Sequence, residues 1–254
     1  MNSSLSLEAA SLTLTLAFLG YASWRDWKVR EVSDRVWLAY GPLGGLLTAL
    51  RILLYGRPEP FFWLSGLALS AAVGLALYYA GFWGGADSKA LICLALSLPD
   101  MPSFCHPLLG LYILFIPFTV LFNGLLLSLT VVAYSALRNL WYRVRVGSLF
   151  QGFEGETLGR KILAFLLAFK VGRERLAGNP SLTPAESFKP NGGRRFNFRL
   201  RVGEDSFSLE GLPEEVWVTF QLPILLFITA GLLAALLVGD LVLALIAWLL
   251  GLLA

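Results

Sequence analysis

Long apolar stretches, interrupted by short polar segments, recur along almost the whole of this chain. A helix needs about 20 mainly apolar residues to cross the hydrocarbon core of a bilayer, and runs near that length lie at 5–24, 36–55, 61–80, 108–137 and 218–239. A further run, 88–99, is shorter. Only ten uncharged residues separate Lys89 from Asp100, about 15 Å of helix at 1.5 Å per residue, and Pro99 and Pro102 end it. The pattern predicts an all-α polytopic membrane protein of six transmembrane helices. The fourth is short or tilted, so that its first turn opens into a water-accessible cavity. Beyond Gly239 and Asp240 an apolar tail of fourteen residues either extends the last helix or turns back, being short for a second full span.

From Arg138 to Glu215 the composition changes, and a small α+β cytoplasmic domain is expected before the last helix. The organisation is then a membrane domain at 1–137, a cytoplasmic domain at 138–217 and a C-terminal transmembrane helix within 218–254. Residues 195–202 alternate strictly, with Phe196, Phe198, Leu200 and Val202 on one face and three arginines plus Asn197 on the other, as in a half-buried strand. Gly203-Glu204-Asp205 would turn the chain into a second strand at 206–209. Upstream, Ile162 to Phe169 gives eight apolar residues between Lys161 and Lys170, too few to span, so an interfacial or domain-core helix is expected.

Composition agrees with the pattern. With 57% hydrophobic and 15% charged residues and a mean hydropathy of +0.69, the chain is neither an ordinary soluble domain nor disordered. A net charge of +3 gives no argument for nucleic acid, and the basic residues follow membrane topology instead. If the N-terminus is outside, Arg25, Lys28, Arg30, Arg35 and Lys89 fall inside, against Arg51 and Arg57 outside. Residues 138–217, also inside, add 13 of the 20 Lys plus Arg. Tyr21, Trp24, Trp27, Trp37, Trp83, Trp141 and Trp217 lie near the inner boundaries, as an interfacial aromatic belt would. Glu8 and the lack of a positive charge in residues 1–8 make the first run a retained span rather than a signal peptide. Cys93 and Cys105 form no metal motif or disulfide framework, so no metal or cofactor is expected.

Two acids stand out against this background. Asp26 follows the first span, and Asp87 precedes the short fourth one within Gly84-Gly85-Ala86-Asp87-Ser88-Lys89. A carboxyl at membrane depth is costly and reads as a functional group with a partner. In the topology above both lie at the inner surface. Two carboxyls held close cannot both ionise cheaply, so one keeps a proton while its neighbour stays negative. Such a pair activates water: the anion takes a proton from it while the neutral acid polarises a carbonyl. Gly84 and Gly85 remove side chains where a substrate backbone would approach Asp87. Taken alone, the glycine pair reads more readily as a helix start capped by Asp87.

Together these residues resemble the archaeal preflagellin and type IV prepilin-like peptidases, membrane aspartic proteases of the GxGD class. The similarity is carried by Tyr21-Ala22-Ser23 with Asp26 and Arg30, by the block from Gly84 to Lys89, by Pro117 to Asn123, and by Val218-Thr219, Pro223, Gly231 and Gly239-Asp240. Ala86 stands where the pattern has its second glycine, and Ser33-Asp34 where proline and asparagine are common. The resemblance implies that Asp26 and Asp87 are the catalytic pair. It also implies that the substrate is the short basic leader of a flagellin or pilin precursor, cut at the cytoplasmic face. The chain lacks the paired Cys-x-x-Cys motifs of bacterial relatives, so no zinc-bearing insertion is expected.

Other polar residues carry less. Asp240, a third intramembrane acid, falls at the opposite face and is expected to serve a helix end. Asp100 and the lone His106 show no partner in the sequence and read as surface groups. Lys89 either tunes the acid pair or snorkels to lipid phosphates. The arginine face of 195–201 suits anionic headgroups, whereas Glu31, Glu154 and Glu156 suit a basic leader. The alternative reading is a small proton- or ion-coupled transporter using the same acids, against which stands the lack of an internal repeat.

Overall fold

The computed structural model describes residues 2–177, 179, 181–188, 193–198 and 213–251. In chain order the elements are α1 (Asn2–Val29), α2 (Asp34–Tyr55), α3 (Pro60–Tyr79), α4 (Gly85–Ser97), α5 (Ile116–Val146), α6 (Leu158–Leu167), β1 (Ala168–Gly172), α7 (Arg173–Ala177), β2 (Leu182–Pro184), β3 (Glu186–Phe188), β4 (Arg194–Phe196), β5 (Glu215–Phe220), α8 (Ile224–Leu237) and α9 (Leu241–Leu249). They form two compact units, Met1–Leu127 with Pro223–Ala254, and Ser128–Leu222.

The first unit is a helix bundle. Helices α1, α2, α3 and α5 are long and apolar enough to cross a membrane, and α8 with α9 makes a fifth span only if that pair, bent by 64°, is counted as one. By length and composition the described residues thus hold four such helices, or five with the bent pair, against the six spans expected. Helix α4 has only 13 residues, and α5 begins at Ile116, because Pro99, Pro102, Pro107 and Gly110 keep the preceding stretch irregular. The apolar run from 218 divides for a similar reason: Val216, Trp217 and Val218 lie in β5 and are buried, and helix starts only after Pro223.

Short as it is, α4 lies at the centre of this unit, packed against α1, α2, α3 and α8. Its small residues let neighbours come close. A Cβ added to Gly44 of α2 would sit 2.5 Å from Ser97 Cβ, and Ser88 Oγ donates to the Gly74 carbonyl of α3 at 2.7 Å. The apolar core around it includes Leu19, Tyr40, Leu94, Ile116, Leu225 and Leu232. Helices α5 and α8 cross at glycines: a Cβ on Gly231 would lie 2.3 Å from the Val120 carbonyl oxygen, the close approach that small residues permit between membrane helices.

Two polar devices hold the bundle. Near the start of α1, Arg51 donates to both carboxylate oxygens of Asp100 at 2.9 and 3.0 Å and to Glu8 at 3.4 Å. Glu8 in turn accepts from the Ser103 backbone and hydroxyl, both at 2.7 Å. Asp100, expected to be a plain surface acid, is thus part of a largely buried ion cluster. The second device sits at the bend between α8 and α9. Gly239 has φ +114°, open to glycine alone without strain, and Asn123 bridges the break. Its amide donates to the Gly239 carbonyl at 2.8 Å and accepts from Leu241 N–H at 2.8 Å. Asp240 caps α9 through Val242 and Leu243 N–H at 3.0 and 2.9 Å, the helix-end role expected of it.

The second unit holds a three-stranded antiparallel sheet, ordered β1-β5-β2, and the β3–β4 pair. The helix expected around Ile162 to Phe169 is helical only to Leu167; from Ala168 the chain pairs with β5. Phe153, Phe196 and the fully buried Trp217 form its core, with Phe153 and Phe196 stacked at 4.2 Å. Arg194 grips the buried Glu186 with two hydrogen bonds of 2.9 Å. Within the alternating segment, 194–196 is strand and pairs with the upstream 186–188; the expected turn and second strand at 203–209 lie outside the described residues. Of the tryptophans expected at the interface, Trp24, Trp27 and Trp141 are exposed, while Trp37, Trp83 and Trp217 are core residues.

Candidate active site

Asp26 and Asp87 come from opposite ends of two helices that pack together. Asp26 lies in the last turn of α1, a helix whose 28 residues carry the chain back to the end opposite Glu8. Asp87 lies in the first turn of α4, immediately after the tight link from α3. The fold brings them within electrostatic reach of each other, and Arg30 within reach of both.

Each carboxyl is oriented by backbone. Gly84 is the N-cap of α4, and its N–H donates to Asp87 Oδ2 at 3.0 Å, so the capping role open to Asp87 is realised and fixes the plane of its carboxyl. A Cβ on Gly84 would stand 3.2 Å from that oxygen, whereas one on Gly85 would meet nothing nearer than Tyr78 at 3.7 Å. Gly84 is therefore the glycine whose missing side chain matters to the acid. The Asp87 residue is 8% exposed and the Asp26 side chain 16%.

The backbone N–H of Leu225, in the first turn of α8, lies within reach of the Asp26 carboxyl. Such N–H groups have no partner within their own helix, and a carboxylate there also meets the positive end of the helix dipole. The contact is held by Ser23, one turn earlier on the same face of α1. Its hydroxyl donates to the Leu225 carbonyl at 2.8 Å and lies 2.6 Å from Thr229 Oγ1. Neither Leu225 nor Thr229 is suggested by its own sequence context. Ser23 and Arg30, at i−3 and i+4 from Asp26, could have been found from helical spacing.

Arg30 has φ +58°, a left-handed conformation that costs a non-glycine residue about 1–2 kcal/mol. Its N–H donates to the Asp26 carbonyl at 3.1 Å, and its Nη1 lies 4.0 Å from Asp26 Oδ1. Lys89 points elsewhere: its ammonium pairs with Asp34 at the start of α2, tying α4 to the segment that follows Arg30. His106 is exposed and Asp240 is spent on its cap. Among the described residues no group of three or more His, Cys, Asp or Glu is placed to hold a metal ion. Beside Asp26, Gly20, Ser23, Trp24, Trp27, Leu226 and Thr229 line a shallow apolar groove of about 450 Å³.

A multi-pass helical bundle with two acids within electrostatic reach of each other at helix ends is compatible with a membrane-embedded hydrolase. Comparison with known proteins narrows this. Residues 13–135 match the Type IV leader peptidase family, and residues 182–241 match the Archaeal Peptidase A24 C-terminus Type II family. Between them the two segments take in well over half of the chain. Two preflagellin peptidases are similar along nearly their whole length. That of Methanococcus maripaludis is 25% identical over 227 residues, covering 86% of this chain and 90% of the relative. That of Methanococcus voltae is 26% identical over 234 residues, covering 89% and 93%. The chain belongs to the type IV leader peptidase family and is a multi-pass membrane protease. The transporter reading finds no support among these relatives.

Proposed function

We propose that this protease removes the basic leader peptide from preflagellin-like or prepilin-like precursors at the cytoplasmic face of the membrane, with Asp26 and Asp87 as its catalytic pair. The observation that carries the reading is the convergence of these acids, 61 positions apart in the chain, at the ends of α1 and α4. In the reaction one carboxyl is anionic and the other protonated. The anion takes a proton from a water molecule as its oxygen attacks the scissile carbonyl carbon, and the protonated acid donates a hydrogen bond to the carbonyl oxygen. Collapse of the tetrahedral intermediate breaks the C–N bond, and the proton taken from water passes to the leaving nitrogen. Gly84 keeps the space beside Asp87 open for the extended substrate backbone. The names of the two relatives and the excess of Lys and Arg in segments assigned to the inner side support the choice of substrate and face.

Asp26→Asn and Asp87→Asn are each expected to insert normally and to cut a preflagellin precursor at least about 100-fold more slowly, read as the shift of precursor to mature band in a membrane assay. Parent-like cleavage by either variant would remove the pair from the mechanism.

A further inference from the structure

We propose that Arg30 is a positioning residue of this site, a cation folded back from the end of α1 that holds the Asp26 carboxylate and is shared with Asp87. The inference rests on reading Asp26 and Asp87 as the catalytic pair. Among the described residues Arg30 is the one non-glycine with a positive φ. Glycine would take that conformation without strain, and a strained backbone retained beside a reactive group points to a use for the side chain. The conformation ends α1 through the hydrogen bond to the Asp26 carbonyl and sends the guanidinium back along the face that carries Asp26. An arginine at a membrane boundary ordinarily extends its head into water. This side chain is only 15% exposed and lies 4.0 Å from Asp26, with Asp87 also in its electrostatic reach, whereas Lys28, two residues earlier, is exposed.

At 4.0 Å from Asp26 Oδ1 the guanidinium acts on the carboxylate through its charge. With the Leu225 backbone also acting on this carboxyl, the Asp26 side chain is held from two sides. Removing the guanidinium should therefore slow the chemical step and leave substrate binding alone.

The test compares Arg30→Gln, Arg30→Gly and Arg30→Lys, with Asp26→Asn and Asp87→Asn alongside, on a preflagellin precursor in membranes. Arg30→Gln and Arg30→Gly are expected to lower kcat about 10- to 100-fold with KM changed less than about twofold. Arg30→Lys, which keeps the charge, should stay within about threefold of the parent. Arg30→Gly relaxes the backbone, so its thermal midpoint in detergent should equal or exceed the parent's, which keeps the test sound if Arg30→Gln fails to insert. Parent-like kcat in Arg30→Gly, or Arg30→Lys as slow as Arg30→Gln, overturns the role of Arg30 while the aspartate variants remain inactive. Activity in an aspartate variant overturns the catalytic pair itself.

Discussion

Asp87 shows how one residue meets two demands. At the third position of α4 it completes the cap through Gly84 N–H, and the same bond orients the carboxyl proposed as one of the catalytic pair. Gly84 is where this can be probed with a single methyl group. Its Cβ would stand 3.2 Å from Asp87 Oδ2, close enough that the carboxyl must move by a few tenths of an ångström. Gly84→Ala is expected to lower kcat about tenfold without loss of membrane insertion, and Gly85→Ala, with space around it, to do much less. Steady-state kinetics on the two variants check this. The aspartates themselves were legible because an ionisable group in apolar sequence is rare and costly. The partners of Asp26 were not. Leu225 reaches it only because α8 packs on α1, a contact between residues 199 positions apart, and no local spacing encodes that.

Among the elements, α4 depends on its neighbours more than any other. Thirteen residues are too few to span a bilayer, and the helix is held in place by contacts with four others. Just beyond its C-terminal end, Arg51 clamps Asp100 and Glu8 together. Removing one partner from a buried ion cluster leaves uncompensated charge, so Arg51→Met is expected to lower stability by about 3 kcal/mol, seen as a lower denaturant midpoint in detergent. The acids at the far end of α1 should keep their role in whatever fraction remains folded. The Arg51 cluster was invisible in sequence, where Arg51 reads as an outer-surface cation and Asp100 as a solvated acid. Composition also misled at 218–239: β-branched residues at 216 and 218 belong to a strand buried within a sheet, and a hydropathy window does not separate that from the start of a span.

For the whole molecule, the basic residues of the short loops predict an orientation with the N-terminus outside. It can be measured in a variant lacking Cys93 and Cys105. A cysteine placed at the exposed Lys28 is expected to react with a membrane-impermeant maleimide only from the cytoplasmic side, and one at the exposed Glu59 only from the outside. Reversed labelling would move the leader-cleaving face to the other side of the membrane. The length and composition of the apolar runs were enough to establish a polytopic helical protein, the polar segment before the last helix and the two acids worth attention, because both hydrophobic burial and the cost of charge in lipid act locally. Only the tertiary structure decided where the helices start and stop, that 216–220 is a strand, and that Ser23, Arg30 and Leu225 gather around Asp26. Those outcomes depend on which helices pack against which, and that energy belongs to pairs of distant segments rather than to any one stretch of chain.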